Sequence, residues 1–283
     1  MKYSRSTLPP ILTFLFCLIS TDILSKEEAA PEQSKRFQEL AQQSWKTVFY
    51  DSCTEDWTTN WTLDGTKAKI THSDKGMDYH AGPERKENTS HSVLWTKQSF
   101  EGDIRIDYEY TKIDDAIEAV VILYIQATGS ELGPYHKNIS EWAHLREIPS
   151  MGKYFLHMHL YHISYSAYDI DNTNPENDYV RARRYLPESG NALANTGFEP
   201  SYYNTGFFKK GVPHAITVIK KDNDLFMRVR NDSNEKIFHW NTESNPAITE
   251  GRIGLRHMWT RGARYKNFKI ASLAKQSSCE THH

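Results

Sequence analysis

Two stretches of this 283-residue chain alternate side chains in a way that could carry chemistry. Over residues 118–127, Ala119, Val121, Leu123, Ile125 and Ala127 form one apolar face, which belongs in a core. Glu118, Val120, Ile122, Tyr124 and Gln126 form the other. Over residues 154–165, Leu156, Met158 and Leu160 point one way while His157, His159 and Tyr161 point the other. The two strands are therefore expected to present Tyr124, Gln126, His157, His159 and Tyr161 on one non-core face. An ordinary solvated face carries Lys, Glu and Thr. A row of His, Tyr and Gln suits a binding cleft.

These residue types fit β-elimination on an acidic sugar. The carboxylate is neutralised by Gln, Asn, His or Arg, a base takes the C5 proton, and a Tyr protonates the leaving oxygen. His157 or His159 is the expected base, because imidazole titrates near neutrality. Tyr161 or Tyr165 is the expected acid. Arg181, Arg183 and Arg184 would bind a carboxylate or sulfate bidentately, or else form a basic patch paired with the neighbouring acidic loop. His257 and Trp259 lie near a strand end, where Trp259 either stacks on a sugar ring or covers a hairpin edge.

Two rival readings stay open. A glycoside hydrolase of this architecture places Glu-x-Asp-x-x-Glu on one strand, and no such string occurs. Its carboxylates would have to come from separate strands, such as Glu118 with an acid from residues 169–178. A non-catalytic lectin would use Trp259 and the tyrosines as stacking platforms and tolerate loss of both histidines. The loop 169–178 is rich in oxygen donors, with Asp169 and Asp171 as ligands of a structural Ca²⁺, or is an array of Asn/Asp turns. No cofactor is required by any of these readings. Gly-rich phosphate loop, Cys/His zinc spacing and Gly-x-Ser-x-Gly elbow are all missing from the sequence.

The elements that must position these residues are mostly strands. Period-two runs occur at 47–50, 68–72, 92–98, 103–111, 118–127, 154–165, 215–220, 225–230, 236–241, 252–258 and 263–270, separated by Asp, Asn and Gly turns. Ahead of them, residues 31–46 place Phe37, Leu40, Ala41 and Trp45 on one face of a short helix. The pattern predicts an all-β sandwich of two antiparallel sheets. Long inserts at about 129–152 and 168–213 interrupt it, and such inserts in compact domains are usually functional. A single domain over 47–271 is expected, followed by a disordered tail over 272–283.

Charge and composition narrow the partners. With 34 basic and 36 acidic residues, a formal charge of -2 offers no basic field for nucleic acid. A mean hydropathy of -0.68 excludes a multi-span membrane protein, while 16 Tyr, 7 Trp and 13 His suit sugars. The expected partner is an acidic polysaccharide or oligosaccharide. Lys2 and Arg5 precede an apolar run, 11–19, too short to span a bilayer. Residues 1–25 are thus expected to be a signal peptide, making the mature protein secreted or periplasmic. Phe16 before Cys17 is too large for a lipobox. Beyond that segment only Cys53 and Cys279 remain, either joined as a disulfide or left apart. Sequons at Asn60, Asn88, Asn138 and Asn231 matter only in a glycosylating source.

Several strings carry a family resemblance. They are Val93-Leu-Trp-Thr96, Gly102-Asp103 with Tyr108-Glu-Tyr110, and Ile122-Leu-Tyr-Ile-Gln-Ala-Thr-Gly129. Further along stand Asp178-Tyr-Val-Arg-Ala-Arg-Arg-Tyr185, Gly251-Arg-Ile-Gly-Leu-Arg-His-Met258 and Arg264-Tyr-Lys-Asn-Phe268. Over about residues 47–271 the chain resembles the YesU-like domains of unknown function in the concanavalin A-like lectin/glucanase superfamily. The resemblance implies a jelly-roll sandwich with carbohydrate on its concave sheet. It supplies no catalytic set, so fold analogy alone does not choose between lyase, hydrolase and lectin.

Overall fold

The computed structural model describes residues 21–273. Most of the expected export segment (1–20, with Cys17) and the tail from 274 onward, with Cys279, lie outside them. Helix α1 spans Thr21–Ala41, and strands follow in the order β1 (Trp45–Asp51), β2 (Trp61–Asp64), β3 (Lys69–Ser73), β4 (Gly76–His80), β5 (Ser92–Glu101), β6 (Ile104–Lys112) and β7 (Val121–Gly129). A kinked 3-10 segment (Ile139–Arg146) and the short helix α2 (Met151–Phe155) then intervene. The chain continues with β8 (Met158–Ala167), β9 (Tyr179–Tyr185), β10 (Tyr202–Tyr203), β11 (Pro213–Lys221), β12 (Asp224–Arg230), β13 (Glu235–Asn241), β14 (Glu250–His257) and β15 (Gly262–Leu273).

Hydrogen bonding sorts these strands into two antiparallel sheets. The first runs β13-β12-β11-β6-β15-β4-β3, with β1 also paired to β15. The second runs β10-β9-β8-β7-β14-β5-β2. Between them lies one large core that includes Tyr108, Tyr110, Leu123, Ile163, Leu255, Tyr265 and Phe268. Alternating inward residues from both sheets create it, as period-two patterning requires. The expected all-β jelly-roll sandwich is the observed architecture.

The helix differs in its limits from the expected 31–46. Phe37 and Leu40 pack on Ile219 and Phe226, on the outer side of the first sheet. The helix stops at Ala41 because Arg105 Nη1 takes its carbonyl at 3.0 Å and Trp45 Nε1 takes that of Leu40 at 2.8 Å. Trp45 consequently opens β1 instead of extending the helix. At the other end, Ser272 and Leu273 belong to β15 and not to a tail.

The insert 168–213 contains two strands that the sequence reading passed over, β9 and β10. In β9, Val180 and Ala182 turn into the core while Arg181 and Arg183 turn outward. The other insert holds no strand. Tyr154, which the alternating pattern places in a strand over 154–165, lies instead in α2. Together with it, the insert folds over the outer face of the second sheet, where Ile139, Trp142 and Tyr154 are buried against Trp95, Ile122, Tyr124 and Leu160. This cap decides what the sheet can offer a ligand.

Candidate functional site

The outer face of the second sheet is built from alternate residues of five neighbouring strands. These are Trp95 on β5, Gly254 and Arg256 on β14, Ile122 and Tyr124 on β7, His162 and Ser164 on β8, and Arg181, Arg183 and Tyr185 on β9. Gly254 pairs with both Trp95 and Tyr124, whose rings stack 5.6 Å apart at 14°. A Cβ on Gly254 would lie 2.5 Å from the Trp95 ring. Only glycine lets the two rings meet across β14.

Buried polar bonds hold the cap onto this face. Asp64 Oδ2 accepts from Trp95 Nε1 at 2.7 Å, from Arg146 Nε at 2.6 Å and from the Tyr154 hydroxyl at 3.0 Å. Arg146 also donates to the Ile139 carbonyl at 2.9 Å and lies over the Trp142 ring. Beside this balanced pair sits Arg256, fully buried, with Nη2 donating to His91 Nδ1 at 2.7 Å and to the Pro149 carbonyl at 2.8 Å. Burial, reinforced by the Arg256 charge, depresses the His91 pKa to about 3, so its ring is neutral and accepts.

Toward β9 the character becomes basic. His162 Nδ1 is 2.7 Å from the Tyr185 hydroxyl and Nε2 is 2.5 Å from Ser164 Oγ. Burial drives its pKa well below the ordinary value, and the charges of Arg183, Arg256 and Arg181 add to that effect. The imidazole is therefore neutral near pH 7. Arg183 donates to the Leu193 carbonyl at 3.2 Å and to Thr196 Oγ1 at 3.1 Å, while Arg181 lies over the Tyr179 ring at 4.3 Å. Among the described residues, neither arginine has a carboxylate partner. Both remain partly exposed.

The structure does not gather the predicted row on one face. Tyr124 is where alternation put it, outward, but it lies fully buried beneath Tyr154 of the cap. Strand β8 has the opposite parity from the one expected: Leu160, His162 and Ser164 face outward, and Tyr161, Ile163 and Tyr165 enter the core. Tyr161 accepts from the Ile248 amide at 3.4 Å, and Tyr165 meets the Tyr265 hydroxyl at 3.4 Å. Gln126 sits at a bulge with φ 52°, and its Nε2 donates to the carbonyls of Phe100 and Gly102, both at 3.0 Å. It ties β7 to the β5–β6 turn.

The other predicted residues are spread apart. His157 precedes β8 and stacks on Tyr135 with centroids 3.6 Å apart. His159 is 3.6 Å from Glu188, in the loop after β9. His257 faces the core, bonded to Tyr265 at 2.7 Å and stacked on Tyr79. Trp259 is buried with Ala119 and Met258, so it offers no free stacking surface. Arg184 points away from Arg183, toward the Pro246 carbonyl at 3.1 Å.

The acidic residues also have other partners. Glu118 is paired with Arg85, and Asp171 with Lys86 at 2.8 Å. Asn172, Asn174 and Asn177 bond one another within the loop. Among the described residues no three His, Cys, Asp or Glu side chains come together to hold a metal. The turn array is thus built by the asparagines, while Asp169 and Asp171 belong to no three-ligand cluster among the described residues.

Sequence reasoning missed Arg256, His162 and Tyr185. Alternation through Asp178–Tyr185 was the available indication for Tyr185 and the outward arginines. Arg256 and His162 had none, since their neighbours are equally apolar on both faces.

Similar solved structures agree on the fold. A Bacillus subtilis protein of unknown function with a galectin-like fold superposes with TM-score 0.59 at 16% identity, over 81% of this chain and 98% of that one. The VIP36 exoplasmic/lumenal domain, in a Ca²⁺/Man3GlcNAc-bound form, gives 0.51 at 10% identity over 82% and 91%. A legume lectin-like domain from Entamoeba histolytica gives 0.51 at 8% identity over 82% and 100%. No curated protein matches the chain in sequence. At these identities the likeness establishes the lectin-like sandwich alone. Through residues 49–270, the chain belongs to the family described as Domain of unknown function (DUF1961).

Proposed function

We propose that this protein is exported and binds an acidic carbohydrate chain on the outer face of its second sheet, at the β8–β9 side. The observation that carries the reading is the Arg181/Arg183 pair. The two guanidiniums stand two residues apart on one face, partly exposed and without a carboxylate. Arginine recognises planar carboxylate or sulfate groups through two parallel bonds. The buried Tyr179 ring lies beneath Arg181 and holds its guanidinium at this edge. Use of the same fold by the VIP36 domain to hold Man3GlcNAc supports a sugar ligand.

His162 and Tyr185 are the pair on this face available for β-elimination. The tyrosine hydroxyl is competent to give a proton and Arg183 lies across from His162, but in the covered state burial and the arginine charges make the imidazole a weak base. Neutralising a uronate carboxylate acidifies the C5 proton that such a base removes. Both groups lie under the cap, so cleavage requires α2 and the turn before it to lift. The hydrolase reading loses support from the ion pair that engages Glu118.

Purified protein incubated with a panel of uronate polysaccharides tests this. Rising ultraviolet absorbance of an unsaturated product, together with new reducing ends, identifies a lyase. Reducing ends without that absorbance identify a hydrolase and overturn the β-elimination reading. Retention of the polysaccharide with neither product identifies a lectin.

A further inference from the structure

Arg256 raises a question that the saccharide-binding edge does not answer. Its side chain is fully buried, yet Nε and Nη1 have no hydrogen-bond partner. The two acceptors at Nη2 are neutral, a histidine nitrogen and a peptide carbonyl. Tyr154 lies under the guanidinium at 4.5 Å. The buried Tyr124 hydroxyl stands within reach of Arg256 and of the Tyr185 hydroxyl, without a well-aligned hydrogen bond to either. The nearest carboxylate of the cap network, Asp64, is taken by Arg146, Trp95 and Tyr154. Burying a cation and leaving its donors unused is strongly unfavourable. Such donors are normally completed by an anion or by ordered water.

We infer that Arg256, with Tyr124 and His91 around it, forms a covered binding site for an oxyanion, either a free inorganic ion or the carboxylate or sulfate of a sugar. The free Nε and Nη1 supply charged donors, and the Tyr124 hydroxyl supplies a neutral one. His91 keeps the fork in place by accepting at Nη2. The turn around Pro149 and the Tyr154 ring cover the site. The inference stands on Arg256 and does not depend on carbohydrate binding at Arg181 and Arg183.

Thermal unfolding in sodium sulfate and in sodium chloride, at matched ionic strength, tests the site. Sulfate stabilises proteins generally by exclusion from their surfaces, so variants supply the contrast. Arg230 lies exposed on β12 of the other sheet, and Arg230→Met serves as the control. Wild type and Arg230→Met are expected to show a saturable rise in Tm beyond the general effect. Arg256→Met should lose that extra rise, and Tyr124→Phe should reduce it. Equal sulfate responses in all four proteins overturn the inference.

Should Arg256→Met fail to fold, calorimetric titration of wild type with sulfate decides. Saturable one-site binding is expected, and no heat at constant ionic strength refutes the site. Competition by a uronate monosaccharide would identify the anion as a sugar substituent. Sulfate binding without such competition would identify a free inorganic oxyanion.

Discussion

Asp64 on β2 and Arg146 in the cap are joined by a 2.6 Å bond, and both are buried. They are 82 residues apart in sequence, and they fasten the insert to the sheet it covers. Removing one partner of a buried pair leaves the other charge uncompensated, at a cost of about 3–5 kcal/mol. Asp64→Ala should lower stability by that order in urea denaturation, with Trp95 and Trp142 becoming more accessible to a fluorescence quencher. Unchanged quenching would show that the cap is held by apolar packing alone.

Gly254 sits where Trp95 and Tyr124 stack. A methyl group there meets the indole at 2.5 Å, which forces either the ring or the strand to move. Overpacking of this kind costs about 1–3 kcal/mol. Gly254→Ala should therefore lower Tm and alter the near-ultraviolet dichroism of the aromatic stack. A variant with wild-type spectra and stability would contradict the packing.

Four buried histidines, His162 among them, give the fold an acid limit. Burial depresses His91 and His257 from 6.5 to about 3, and His214 to about 4. In this range the unfolded chain binds more protons than the folded one, so stability rises with pH and falls on acidification. The loss begins near the unfolded value of about 6.5 and continues toward each folded value, each histidine contributing up to about 1.4 kcal/mol per pH unit. Urea midpoints should consequently drop between about pH 7 and pH 5, before most carboxylates titrate. A flat profile over that interval would refute neutral burial of these rings.

The His162–Tyr185 contact predicts a split between stability and turnover. Tyr185→Phe keeps the ring but leaves a buried imidazole nitrogen without its partner, costing about 1–3 kcal/mol. If β-elimination takes place here, the same change should abolish unsaturated product while retention of polysaccharide by Arg181 and Arg183 persists. Full turnover in Tyr185→Phe would remove this tyrosine from the chemistry.

How much of this was legible in the sequence depended on contrast between faces. Strand β7 was readable because Tyr124 and Gln126 interrupt one parity while Val121, Leu123 and Ile125 keep the other wholly apolar. In β8 the run Leu160-Tyr-His-Ile163 offers apolar residues at both parities, because the cap makes its outer face a second interior. A one-residue change of parity moves every side chain to the other face, and it carried Tyr161 and Tyr165 into the core. The bulges at Gln126 and Ser166, both at positive φ, add shifts that no alternating pattern displays. Strand β9 lay hidden in an apparent insert because its outward residues are charged. The sandwich itself was plain, since many short alternating strands have few other ways to bury one face each.

Binding of a uronate oligosaccharide to wild type and to the Arg181→Ala/Arg183→Ala double variant tests the central claim most directly. Each charge-assisted contact is worth about 1.5–3 kcal/mol, so affinity should fall by about tenfold or more per arginine while the folded signal is unchanged. Equal affinity in both proteins would contradict an acidic-carbohydrate site on the outer face of the second sheet.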